Sequence, residues 1–256
     1  MINDLTPQLD SPRRIRFDLI ILTLFRPRRA FSEIAAQAGS VWLVPVLILL
    51  TLATVRVIAD GPIRQETAFS AQATPPPGVE FSPEQQTQME QTQGLATGPL
   101  FIYIFPTVGA VLSVVVVWLL ESGVLHLVFT LLGWRHPWRM ALNIVAWARL
   151  PYALRIVVRI GAAALTHQVV AHPGLSGFAP EGAGPLNIAL AALLGFIDLY
   201  IIWHTILLVI GVRAADNLSG RKAWGGALFA VFVVTLLQAL PGIVAAAVGA
   251  AFAGGR

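Results

Sequence analysis

Cysteine is absent from the 256-residue chain. That excludes a disulfide framework, a thiol nucleophile and any thiolate metal site. Charge is scarce as well. Only 12% of residues are charged against 56% in the hydrophobic set, and the charged share is about half that of an ordinary soluble domain. Lysine is nearly missing, with Lys222 the single one among seventeen basic residues. The chain has no HExxH, no G-x-S-x-G and no P-loop, so metalloprotease, serine-hydrolase and nucleotide-triphosphatase chemistry have no foothold. No cofactor is expected. His126 and His204 stand alone in separate apolar runs, where an imidazole reads as a hydrogen-bonded structural group. His167 and His172 are five apart and miss the i,i+4 spacing that puts two imidazoles on one helix face.

The remainder is long apolar runs. Mean hydropathy is +0.74, and a membrane crossing needs about 20 mostly apolar residues. Five runs qualify, at 41–59, 100–132, 139–165, 186–212 and 223–252. The expected fold is therefore all-α, a polytopic membrane protein with five transmembrane helices. The run at 100–132 would reach about 50 Å as a straight helix, against a hydrocarbon core of about 30 Å, so it is tilted or continues past the bilayer. The arginine-rich segment 1–40 has no small-residue cleavage pattern, and the first span is expected to serve as the insertion signal.

Charge alternates between the connecting segments. Segment 1–40 carries Arg13, Arg14, Arg16, Arg26, Arg28 and Arg29. Loop 60–99 carries Arg64 against Asp60, Glu66, Glu80, Glu84 and Glu90. Arg135 and Arg139 mark the next turn, loop 166–185 has no Lys or Arg, and Arg213, Arg221 and Lys222 precede the last span. Cytoplasmic segments hold the positive excess, which predicts a cytoplasmic N-terminus and an external C-terminus. The same distribution accounts for a pI near 10.3 without nucleic acid. The external loop 60–99 is Pro/Gln-rich. Ser82, Pro83 and Gly94 bracket a short polar helix there, and a solvated connector is the expected role.

The first forty residues form a cytoplasmic amphipathic segment. Phe17, Ile20, Ile21, Leu24 and Phe25 recur at helical spacing and are flanked by arginines, as in a helix lying in the inner interface with its cations toward anionic headgroups. Pro27 ends that helix, and Phe31, Ile34, Ala35 and Ala38 repeat the spacing ahead of the first span. Such a surface anchors the chain or docks a protein partner.

Three segments taken together carry a resemblance: LFRPRRAFSEIA (24–35), NIVAWARLPYALRI (143–156) and DNLSGRKAWGGALF (216–229). In this order, across five spans, they resemble the Yip-one domain family, the Ypt/Rab-interacting membrane proteins, in its bacterial branch. The matching positions are Pro27 and Phe31, Leu150 and Pro151, Leu218 and Ser219, and Lys222 and Ala223. The eukaryotic Asp-Leu-x-Gly-Pro motif is represented only by GPLF at 98–101. The resemblance implies a membrane fold and a non-enzymatic protein, multi-pass in a bacterial inner membrane, where a Rab partner is not expected. Its expected role is a membrane scaffold or adaptor. A small transporter or channel is the alternative.

That alternative rests on charges inside the spans. Arg56 is four residues before Asp60 and pairs locally; Arg159 reaches the outer headgroups. Arg149 lies about 15 Å into its run and Asp198 about 18 Å into its own, at similar depth. A charge at the bilayer centre costs ~2.5–3.5 kcal/mol on insertion scales, so each needs a partner. The expected solution is a cluster of Glu121, Arg149, Arg155 and Asp198 with Tyr152 and Tyr200 adding hydrogen bonds, Arg149 meeting Asp198, with Glu121 as the alternative partner. Pro151 should also free the carbonyl of Trp147. No inverted repeat and no pair of glycine-broken half-helices is visible, which favours a structural network over a pathway. Small residues at Gly242, Ala246 and Ala250, and at Ala245, Gly249 and Ala253, allow close packing in the bundle or a homo-oligomer face.

The charge alternation makes the topology testable. A reporter active only in the cytoplasm should work when fused after Gly220 and be silent after Gly94 or at the C-terminus. Activity from the Gly94 fusion would reverse the orientation.

Overall fold

The structure, a computed structural model, describes residues 16–37, 39–72, 82, 84, 88, 94, 97–170, 173–180, 184–216 and 218–253. Most of the expected helix 82–94, His172 and most of the small residues of the last span fall outside the residues whose side chains are described. Among the described residues there are helices and no strands. In chain order they are α1 (Asp18–Phe25), α2 (Pro27–Ala36), α3 (Leu43–Gln72), a π-helical turn (Leu100–Ile104) running into α4 (Phe105–Leu131), α5 (Trp138–Ala148), α6 (Leu150–Thr166), α7 (Pro185–Leu194), α8 (Leu199–Ala215) and α9 (Gly220–Ala253).

Four stretches are long and apolar enough to cross a membrane: Leu43–Phe69, Leu100–Leu131, Trp138–Thr166 and Gly220–Val244. A fifth forms if Leu186–Leu194 and Leu199–Ala215, which meet at 62°, count as one broken span. Several boundaries differ from the sequence expectation. The first helix does not stop at residue 59 but runs to Gln72 through Pro62, so Asp60 and Arg64 lie on it and not in a loop. Its continuation is polar, and apolar content alone located the end of the run. The third and fourth spans are both interrupted, the third at Arg149 and the fourth at residues 195–198. Broken helices, unseen as a glycine pattern, are thus present in two neighbouring spans.

α1 and α2 form a hairpin joined at Pro27, which occupies the first turn of α2. α2 is fully part of the bundle: Ala30, Phe31 and Ile34 are completely buried, and α2 packs along α8. α1 is apolar on nearly every side. Leu19 and Thr23 turn inward, whereas Phe17, Ile21 and Phe25 are exposed. Ile20 and Leu24, placed by the sequence on the same lipid-facing stripe, instead pack partly against the core. A helix apolar all round satisfies two hydrophobic environments, protein on one side and lipid on the other. Phe17 lines an apolar groove with Leu43, Leu47 and Thr51, so this end of α1 reaches alongside the first turns of α3. Arg16 does not extend freely toward headgroups. It pairs with Asp18 at 2.6 Å and Glu33 at 2.7 Å, tying α1 to α2. Hydrogen bonding to Asp18, reinforced by Glu33 and opposed by burial, raises the Arg16 pKa above its ordinary value.

The linker between α2 and α3 is pinned to α5. Asn143 donates from Nδ2 to the Gly39 carbonyl and accepts the Val41 N–H at Oδ1; the Trp147 indole donates to the Val41 carbonyl. Trp118 of α4 donates to the Leu142 carbonyl, binding a further helix to the same segment. Asn143 and Trp147 belong to the 143–156 stretch that carries the resemblance, and their role is to hold the hairpin against the spans. Helices approach closely at Gly211 of α8, where a Cβ would lie 2.6 Å from Ile144 and 2.9 Å from Phe31. Gly211→Ala should therefore destabilise the bundle by about 1–3 kcal/mol, an overpacking cost. Gly225→Ala, where a Cβ meets nothing within 4 Å, should be neutral or mildly stabilising. Reversible unfolding in mixed micelles would separate the two.

Candidate functional site: a buried charge cluster beside an arginine-lined cavity

The break at Arg149 creates the site. Proline at 151 has no N–H, and Tyr152 donates its own N–H to Arg149 at three-residue spacing, leaving the Ala148 carbonyl without a helical donor. His204 of α8 takes that place, its Nδ1 2.9 Å from the Ala148 oxygen. The carbonyl put to use is thus that of Ala148, one residue beyond the expected Trp147. The other nitrogen, Nε2, lies 2.5 Å from Oε1 of Glu121 on α4. A carbonyl only accepts, so Nδ1 carries a hydrogen. A second hydrogen must then lie between Nε2 and the carboxyl oxygen, because two bare acceptors cannot share a hydrogen bond. Glu121 and His204 are 2% and 1% exposed, so this proton is sealed from water.

Arg149 completes the group. Its Nε lies 3.4 Å from the second carboxyl oxygen of Glu121. Tyr152 sits between Arg149 and His204, with Arg149 Cζ 5.5 Å from the ring centre and the imidazole 5.0 Å away. One carboxyl group therefore joins α4, the α5–α6 junction and α8.

The remaining pair is separate. Arg155 Nε lies 2.9 Å from Asp198, though its N–H is not aimed at that oxygen; the hydrogen bond from this side chain runs from Nη2 to the Gly195 carbonyl at 3.3 Å. Asp198 is the N-cap of α8 and accepts the N–H groups of Tyr200 and Ile201. Tyr200 meets the cluster through its backbone. The structure thus pairs Arg149 with Glu121 and Arg155 with Asp198. The Arg149–Asp198 contact drawn from equal depths does not form, because the 62° bend removes Asp198 from a continuous helix. His204, read from sequence as structural and solitary, is a central member. Its only signal in the sequence was that a polar ring stood in an apolar run beside unpaired charges.

A cavity of about 700 Å³ opens beside the cluster, lined by Arg56, Arg149, Tyr152, Arg155 and Arg159. The segment 173–178 closes one side and mends the broken fourth span: the Leu175 N–H donates to the carbonyls of Leu194 and Ile197. Gly174 has φ +60, and a Cβ there would collide with three carbonyl oxygens of residues 194, 195 and 197. Arg56 pairs with Asp60 at 3.3 Å as the four-residue spacing predicts; Arg64 reaches the same carboxylate at 3.6 Å.

The remaining motif positions are packing and capping sites. Leu150 and Pro151 open α6. Leu218 packs on the core, the Ser219 carbonyl accepts from the buried Ala223, and Lys222 Nζ donates to the Leu132 carbonyl at 3.3 Å, joining α9 to the end of α4. Among the described residues no group of His, Asp and Glu is arranged to hold a metal ion.

Apolar helices of this length around a buried charge network define a multi-pass membrane protein. The sequence model of the Yip1 domain matches residues 21–245, and the chain belongs to the Yip1 domain family. No curated protein and no solved structure matches it.

The pairing predicts its own energetics. Glu121→Gln or Arg149→Leu alone should cost about 3–5 kcal/mol if the site behaves like a buried pair in a soluble core, less if the unfolded chain finds partners in the membrane. The double change should cost less than the sum by about 0.5–3 kcal/mol, the range for side chains in contact. The same holds for Arg155 with Asp198, and the Arg149–Asp198 coupling should be the smallest. Steric trapping in bicelles would measure all three cycles; a dominant Arg149–Asp198 coupling would contradict the pairing.

Proposed function

We propose that this protein is a non-enzymatic scaffold or adaptor that organises the bilayer around it, resident in a bacterial inner membrane with its N-terminus in the cytoplasm. The observation that carries this reading is the exposed row Phe17, Ile21 and Phe25 on a helix clamped to the bundle by Leu19 and by Arg16. An apolar helix face held beside one end of the bundle enters one leaflet and not the other. Such a wedge expands that leaflet and responds to curvature and lipid composition. Because α1 is tied to α2, and α2 to α8, strain in the leaflet is passed to the spans and not absorbed by a loose tail.

A transporter reading has its own support. Arg149 and Tyr152 belong both to the cavity wall and to the sealed Glu121–His204 pair, so a proton-holding group adjoins an open space.

Reconstituted full-length protein decides between them. The scaffold reading expects wild-type protein to shift proteoliposomes to smaller radii in cryo-electron micrographs. Replacement of Phe17, Ile21 and Phe25 by Ser should restore protein-free radii while helicity and thermal stability hold. Unchanged curvature in that triple variant would remove the wedge. Proton leak into the same liposomes, lost in His204→Phe with no change in curvature, would move the assignment to transport.

A further inference from the structure

The cavity beside the cluster has more positive charge than its neighbours neutralise. Four guanidinium groups line it, those of Arg56, Arg149, Arg155 and Arg159, and among the described residues no carboxylate does. Three of them turn part of their charge away from the cavity, to Asp60, Glu121 and Asp198. Two of those acids are shared: Asp60 also serves Arg64, and Glu121 also serves His204. Arg159 forms no hydrogen bond or ion pair among the described residues, although it is partly buried and lies one helical turn from Arg155. Uncompensated cations placed this close within a membrane protein repel one another, and the arrangement is stable when an anion enters between them.

The walls say what kind of anion. Leu49, Val114, Val117, Ile156 and Phe196 line the same space, which belongs to spans of the membrane domain. Its volume falls in the range of ligand pockets and is far larger than a phosphate ion. Guanidinium groups match phosphate oxygens with paired N–H donors. Ser113, Ser176, Thr235 and Gln238 add further polar groups to the lining. A cationic end with apolar sides fits a molecule that is charged at one end and oily at the other.

We propose that this cavity binds a phosphate-bearing amphiphile, an anionic phospholipid, with its phosphate between Arg159, Arg56 and Arg155 and an acyl chain along the apolar wall. This site is distinct from the α1 surface, and it stands whether the protein is a scaffold or a transporter. The bound lipid would complete the neutralisation of the arginines and bridge α3, α6 and the 173–178 segment.

The test uses the full-length protein, stripped of lipid in an uncharged detergent. Short-chain phosphatidylglycerol, short-chain phosphatidylcholine and inorganic phosphate are titrated separately, with thermal unfolding and calorimetry as readouts. Saturable binding of phosphatidylglycerol is expected, tighter than either of the others. Arg159→Gln should weaken it by about tenfold or more, the loss of one charge-assisted hydrogen bond. Arg159→Lys should recover part of it. Equal affinity in Arg159→Gln and wild type would overturn the site. Phosphate binding as tightly as the lipid would overturn the amphiphile, and phosphatidylcholine binding as tightly would overturn the selection for net charge. If Arg159→Gln fails to fold, Ala192→Trp fills the cavity without altering a charge. Wild-type lipid affinity in that variant would likewise sink the proposal.

Discussion

The carboxyl group of Glu121 is the point on which the spans converge. It is buried on α4 and meets Arg149 with one oxygen and His204 with the other. Neither partner is free to leave. Arg149 sits at a break forced by Pro151, and His204 is held from behind by the carbonyl that the break exposes. The proline, the freed carbonyl, the imidazole and the acid form one chain of necessity. Removing any link leaves a polar group in hydrocarbon without a partner, at a cost of several kcal/mol. Packing alone would not select this arrangement, since lipid tails are as apolar as the side chains they would replace.

Around this point the fold has two ends of different chemistry. At one, the α1–α2 hairpin presents an exposed oily surface and is locked to the spans by Asn143, Trp147 and the Arg16 ion pairs. At the other, broken helices and a returning loop surround an arginine-lined space. The stretch 143–156 touches both. Asn143 and Trp147 clamp the hairpin linker, and the residues that follow supply Arg149 and Arg155. A sequence that looks like oily wall interrupted by arginines is therefore the mechanical link between the two ends.

Much of this was legible from residue order. Runs of about 20 apolar residues announce spans, and the membrane class, the helical fold and the family follow from them with the ordered motifs. The Arg56–Asp60 pair was legible because four-residue spacing is a local rule. Partners across helices were not. Placing Arg149 opposite Asp198 assumed two straight helices rising at constant pitch, and the bend at residues 195–198 invalidates that ruler. His204 has no spacing relation to Glu121, 83 residues away, and only the fold brings them together. The extension of α3 to Gln72 escaped notice because polar residues continue a helix as readily as apolar ones when the backbone is already nucleated.

The seam at Leu175 bears on how the molecule is made. A straight span completes its own backbone hydrogen bonds as it enters the bilayer and needs no help. The fourth span draws on its neighbours: the carbonyl of Ile197 is met by the Leu175 N–H from the loop that precedes it, which also reaches the Leu194 carbonyl beside the Ile197 N–H, and Gly195 by a side chain of the third span. The final form of this segment therefore depends on residues 173–178 and on α6. The third span and its loop thus supply part of the hydrogen bonding that a straight fourth span would have supplied for itself.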